Sequence, residues 1–250
     1  MGKQAPTGVV DETARSGGAG ATAAGGVIRG RSEIGERIRA RAEVSLRVIE
    51  RHSHDLFGRY LTYDEVDEVI TAAEALALLF GRLELPNIAG LARHLVTIFS
   101  EEGPWSATTG VRLAATCEDL RTLVESAIAQ QNALGSDSEV VVVLGEESEA
   151  LDAVCWLALT RGYAVTQADD RLPLLHRDPA AVVTLCPNRF TSAVGTRLRA
   201  VTQQWAAPLL VLHDGADPDT IGRLAVFGTT VLPLATPPGV ITDELTRAVA

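Results

Sequence analysis

The sequence has 250 residues, 46% of them hydrophobic and only 4% aromatic, with a formal net charge of −10. A charge of that sign excludes a general nucleic-acid or anionic-membrane binder, because polyphosphate binding depends on clustered positive charge. No segment reaches the roughly 18 uninterrupted apolar residues of a membrane span, and no charged start with an apolar run after it marks a secretion signal.

Residues 1–32 are rich in Gly, Ala, Ser and Thr ("SGGAGATAAGG") and read as a disordered tail. Residues 33–134 then read as amphipathic helices. In the first, Ile34, Ile38, Ala42, Ser45 and Ile49 recur at helical spacing. Arg37, Arg39, Arg41 and Arg47 alternate there with Glu36, Glu43 and Glu50. They suggest a solvated face with ion pairs within the helix, or a helix that docks a partner.

A second helix starts near Thr62, where Thr62-Tyr63-Asp64-Glu65 fits a capping box. Val66, Ile70, Ala73, Ala77 and Phe80 form its apolar face. A third begins at Pro86, with Ile88, Leu91, Leu95, Ile98 and Phe99 inward. "EEGP" closes it. A fourth spans about Ser106 to Ala133, with Leu113, Cys117, Leu120, Val124 and Ile128 inward. Amphipathic helices joined by short connections predict an antiparallel helical bundle.

Residues 135–139 read as a linker, and residues 140–250 change period. "VVVVLG", "GYAVTQA", "AAVVTLCP", "APLLVLHD" and "TTVLPL" are strand signals. Helices are expected at Ser148–Thr160, Thr191–Trp205, Thr220–Phe227 and from Val240, with a short helical segment before the third strand. That alternation predicts a doubly wound, five-stranded parallel sheet. The fold class is therefore a two-domain α + α/β chain.

The second half resembles a receiver domain of two-component signalling, a flavodoxin-like module. "VVVVLGEESEALDAVCWLALTRGYAV" is similar to the family's first strand, first helix and second strand. "APLLVLHDGAD" and "FGTTVLPLATPPGVITDELTRAV" are similar to strand four and to strand five with the last helix. The resemblance implies an acid pair after strand one; Leu144 and Gly145 stand there, with Glu146 and Glu147 one step later. It implies a phospho-accepting aspartate at the end of strand three, where Thr184-Leu185-Cys186 stands. His213 falls at the strand-four Ser/Thr position, and the strand-five lysine has no counterpart. Glu146, Glu147 and Asp214 would form a degenerate acidic pocket. Phosphoryl transfer needs nucleophile, metal and charge neutralisation together, so this half reads as a pseudo-receiver.

The first half resembles a histidine phosphotransfer domain over about residues 36–132. "AAEALALLFGRLELPNIAGLARHL" (Ala72 to Leu95) carries the likeness through its Leu-Glu-Leu-Pro corner. Counting back from Pro86 puts Glu74 at the family's histidine, Ala77 at its lysine and Leu78 at its glycine. Glu74 and Leu185 are thus the pseudo-phosphosite positions.

The remaining candidates are weaker. His52 and His54 in "RHSHD" are two apart, which on a helix points them to different faces, so no metal site is expected. His94 reads as solvent-facing beside Arg93, and His176 in "LLHRDP" as a loop residue. Asp214, Asp217 and Asp219 crowd the loop after strand four, where ligands bind in open α/β sheets. No GxGxxG after a strand, P-loop or GxSxG is present. Cys117, Cys155 and Cys186 make no CxxC pair and read as buried reduced thiols of a cytoplasmic protein.

The expectation is a non-catalytic signalling adaptor, not an enzyme, with no cofactor. Its partners would be kinase or receiver-type signalling proteins or a second copy of the chain. The resemblance places the contact on Ile221, Arg223, Leu224, Phe227 and Arg247. The alternatives are a small-ligand enzyme of flavodoxin-like fold using Glu146, Cys186 and Asp214, or the sensory part of a longer protein whose output domain follows.

Overall fold

The computed structural model describes residues 31–100, 105–133, 139–146, 148–168, 172–173, 175, 178–186 and 188–249. Residues 1–30 of the expected tail, most of the expected linker, the "EEGP" stop, Glu147 and His176 lie outside the described residues, while Arg31 and Ser32, expected in the tail, are helical. So does much of the segment expected to be helical before the third strand.

A helical region comes first: α1 (Arg31–Asp55), α2 (Tyr63–Arg82), α3 (Pro86–Ser100) and α4 (Ala107–Ala133). Each forms where the apolar period is 3.6, and the expected inward residues of α4 are all buried. In α1 the stripe runs through Leu46, which is buried, where Ser45 was expected. The helices pack in a ring: α1 on α2 and α4, and α3 on α2 and α4.

The caps follow the sequence closely. Thr62 caps α2 and takes the Glu65 N–H at 3.3 Å, while the Thr62 N–H donates to Glu65 Oε2 at 2.8 Å. At the other end, the Glu84 N–H donates to Gly81 O and the Leu85 N–H to Phe80 O. This is a Schellman closure, and it puts Glu84 at φ +55°. A side chain is disfavoured in that region by about 1 kcal/mol. Glu84→Gly is therefore expected to raise stability by up to about 1 kcal/mol, read as a higher urea midpoint.

The second region alternates strands and helices: β1 (Val140–Leu144), α5 (Glu149–Thr160), β2 (Ala164–Ala168), β3 (Ala181–Cys186), α6 (Ser192–Gln204), β4 (Leu209–His213), α7 (Pro218–Ala225), β5 (Thr230–Pro233) and α8 (Pro238–Val249). All strand pairs are parallel, in the order β2-β1-β3-β4-β5. Helices cover both faces, as a doubly wound sheet requires. Val142, Leu144, Val182 and Val211 pack with α6 and α7 residues on one face. Val141, Val143, Val183 and Leu212 pack with α5 and α8 on the other.

That second core does not stop at the α/β region. It continues into the helical region, joining Ile34 to Leu245 in one apolar cluster. Helix α5 lies between them, touching β1, β2 and α8 on one side and α1 on the other. Residues Leu151 to Leu159 are consequently buried without a break, the pattern of a helix covered on all sides.

Candidate functional site

One charged side chain interrupts that apolar helix. Asp152 is 1% exposed and pairs with two arginines of α1. Arg37 Nη2 lies 2.5 Å from its Oδ1. Arg41 donates through Nε and Nη2 to its Oδ2 at 3.1 and 2.9 Å. Arg37 also donates to Gln167 Oε1, on β2, at 2.7 Å. Nearby, Arg82 at the end of α2 donates to Glu149 Oε1 at 2.6 Å, in the first turn of α5.

Arg37 and Arg41 therefore do not belong to a solvated face, as expected from alternation alone. The expected pairs within the helix are Arg39 with Glu36 and Arg47 with Glu43. Helix α4 reaches the same face: Arg121 pairs with Glu43 as well and with Glu50. That contact pushes the Arg121 pKa up and holds Glu50 below the usual carboxylate range.

Beside these pairs the two regions enclose a groove. Its deeper part, about 260 Å³, is lined by Leu78 and Arg82 of α2, Val154 and Leu157 of α5, and Pro237 and Ile241. A wider part of about 610 Å³ continues past Glu74, Gly81, Arg93 and Val96. Leu78 and Arg82 line both. Glu74 and Leu78 are four residues apart, so they share one face of α2. Glu74 is exposed, and Leu78 is 55% exposed, a large apolar side chain left open to solvent.

The strand ends are built differently. The acid-pair position after β1 is shut: a Cβ on Gly145, at φ +149°, would meet Leu151 Cδ1 at 2.8 Å and Leu185 Cβ at 4.0 Å. Leu185 is half-buried against the core. Glu146 and Asp214 are exposed, and no hydrogen bond or ion pair joins them among the described residues. The structure does not gather them into a pocket. The Asp217 carboxylate caps α7 and accepts from the Thr220 N–H at 2.7 Å, which lowers its pKa.

Register also brings together two residues that the sequence kept apart. Cys186 and His213 are partners at the C-terminal ends of β3 and β4. His213 is buried, and its Nδ1 accepts the Ala216 N–H at 3.1 Å. None of the three cysteines is in a disulfide, and all are buried. Burial pushes the Cys186 thiol up, and burial with the Glu50 charge pushes Cys117 to about 12. Raised values leave little thiolate at pH 8. Cys117 and Cys186, and Cys155 through its burial alone, are expected to resist iodoacetamide in the native chain at that pH, by mass spectrometry, and to label in urea.

Of the expected contact residues, Leu224 is wrong. It is fully buried among residues of the sheet and α6, because it forms the inward stripe of α7. Phe227 is half-buried and stacks on Phe190 at 6.3 Å. Ile221 and Arg223 are exposed, and Arg247 is exposed and paired with Glu244. Sequence reasoning missed Asp152 and Arg82, although a lone acid inside "LDAVCWLALT" was the available signal.

No family model and no curated protein matches this chain. A solved structure that resembles it is the methanol:cobalamin methyltransferase complex MtaBC from Methanosarcina barkeri. The likeness has 12% identity, covers 78% of this chain and 83% of that one, and has a TM-score of 0.33. The structure it resembles is a methyltransferase complex, and the expectation that the chain is not an enzyme is withdrawn. A likeness that loose brings no activity to this chain. Among the described residues no helix is long and apolar enough to cross a membrane.

Proposed function

We propose that this chain is a signalling adaptor of two-component type. In this reading a phosphotransfer-like antiparallel bundle is fixed onto a flavodoxin-like, receiver-like unit, and a partner protein docks in the groove between them. The carrying observation is the open Leu78 side chain beside Glu74 and Arg82, at a junction held by Asp152 and Glu149. Large exposed apolar side chains in a groove with charged walls favour a protein segment as occupant. The 2-1-3-4-5 strand order supports the flavodoxin-like part of the reading. Buried cysteines outside any disulfide support a cytoplasmic setting.

The test places a photo-crosslinking residue at Leu78, or at Val44 as an exposed apolar control on α1. A discrete protein adduct at Leu78, absent at Val44, is the expected result in the native cell. The same adducts at both positions, or none at Leu78, would overturn the reading. Dimerisation through the exposed Ile221, Arg223 and Arg247 is the second part of the proposal. Light scattering of the full chain against Arg223→Glu with Arg247→Glu tests it, and a monomer in both removes it.

A second reading is a ligand-binding enzyme of flavodoxin-like fold. It is favoured by the Cys186 and His213 pairing at the strand C-termini, where such sheets take ligands. Fast alkylation of Cys186 that disappears in His213→Ala would move the balance to it.

A further inference from the structure

His52 sits in the last turn of α1 and is 3% exposed. The sequence paired it with His54, which is exposed on another face. The fold gives it different neighbours. Asp55 lies one turn on along α1, and Glu65 stands in the first turn of α2, brought alongside by the connection between the helices. One ligand atom from each of the three lies within 4.8 Å of the others.

The ring nitrogens are poorly matched to their surroundings. Nδ1 is buried, has no hydrogen-bond partner, and faces Asp55 Oδ2 at 3.4 Å. Nε2 is 3.0 Å from Glu68 Oε2 and 3.0 Å from Arg51 Nη2. Arg51 itself donates to Glu68 at 2.6 Å. With the proton on Nε2, the Nδ1 lone pair points at a carboxylate. With the proton on Nδ1, the Nε2 lone pair meets the Glu68 carboxylate. Either neutral tautomer sets one ring lone pair beside a carboxylate, although Nε2 can also accept from Arg51; a positive charge, on the ring or on a bound cation, suits both sides.

A divalent cation at Nδ1, with the proton on Nε2, fits both sides of the ring and takes up the unpartnered Nδ1. We propose that His52 Nδ1 and the Asp55 and Glu65 carboxylates bind one Zn²⁺ ion, with Glu68 accepting from Nε2–H. One nitrogen and two carboxylate oxygens suit zinc and leave a fourth position to water. Glu68 then plays the orienting part that a carboxylate behind a ligating histidine commonly plays. The two ligating carboxylates already attract a cation: Arg59 donates to Asp55 at 3.1 Å and to Glu65 at 2.6 and 2.7 Å. Arg59 follows α1 and is about half exposed, so its guanidinium can leave to solvent as the metal enters. The Thr62 cap holds Glu65 in place meanwhile.

The experiment is equilibrium dialysis of the full chain against Zn²⁺ at pH 7.5, with Co²⁺ absorption as a second readout. One equivalent is expected. Asp55→Asn and His52→Ala should each weaken it at least about tenfold, and Glu68→Gln by about 10- to 100-fold. Arg59→Ala removes the competing cation and should tighten it. His94→Ala, on the exposed face of α3, should leave it unchanged. If His52→Ala does not fold, Asp55→Asn and Glu68→Gln decide the matter at exposed or half-buried positions. Absence of binding in both the wild type and Arg59→Ala overturns the site. So does binding that survives Asp55→Asn and Glu68→Gln unaltered.

Discussion

Asp152→Ala is expected to lower the stability of the chain by about 3 kcal/mol, at the low end of what breaking a buried ion pair costs. The loss comes from what remains behind. Arg37 is 14% exposed, and without Asp152 its guanidinium keeps only Gln167 as a partner at that contact. Arg41 is less enclosed and can turn its head to water, which keeps the figure from the top of the range. Arg41→Ala should therefore cost only about 1 kcal/mol, because the acid retains Arg37. Asp152→Asn should fall between the two. Urea unfolding followed by circular dichroism and by tryptophan fluorescence would read all three. Trp105 precedes α4, while Trp156 and Trp205 belong to the α/β region. If the buried pair fastens one region to the other, both signals must shift together. A change under 0.5 kcal/mol in Asp152→Ala would mean that the apolar contacts of α1 with α5 do the fastening alone.

The periodic part of this fold was legible from the residues. Val140–Leu144 is a β-branched run ended by Gly145, and it became a buried parallel strand. Thr62 with Glu65, Ser148 and Thr191 each cap the helix that they announced. These signals are local: the capping oxygen and the amide it serves lie within three residues. What was hidden is every contact between distant positions. Arg37 and Arg41 look like ordinary members of an alternating charge pattern, and only the placement of α5 separates them from Arg39 and Arg47. Cys186 and His213 are 27 residues apart and meet only through strand register.

The site suffered from the same limit in a sharper form. Counting from Pro86 placed Glu74 on the open face of α2, and that position does line a groove. The groove's other wall, Pro238 at the start of α8, is far away in the chain and carries no sequence signal for contact. The face expected from the second-half resemblance fared less well at Leu224, where amphipathicity alone could not say which apolar residues of α7 the sheet would cover. His52 was weighed with the histidine nearest in sequence, and its closest carboxylates came from i+3 and from the next helix.

The second large effect is expected at Trp156. Its side chain is 2% exposed and lies four residues after Asp152, on the same side of α5 as the ion pair. Trp156→Ala should cost about 4 kcal/mol, since it removes the largest fully buried side chain from a helix that is covered all round. Trp156→Phe should cost far less, about 1 kcal/mol. The reason is specific: the indole N–H has no hydrogen-bond partner among the described residues, so phenylalanine loses volume without orphaning a polar group. Because Trp156 and Asp152 support the same junction, their losses should not add. The double variant Asp152→Ala with Trp156→Ala is expected to fall short of the summed single losses by about 1 kcal/mol or more, as neighbours in one network do. Two outcomes would count against this account. A phenylalanine variant as unstable as the alanine one would mean that the indole N–H has a partner. Strict additivity in the double variant would mean that the ion pair and the indole hold different surfaces of α5, one toward α1 and the other toward the sheet.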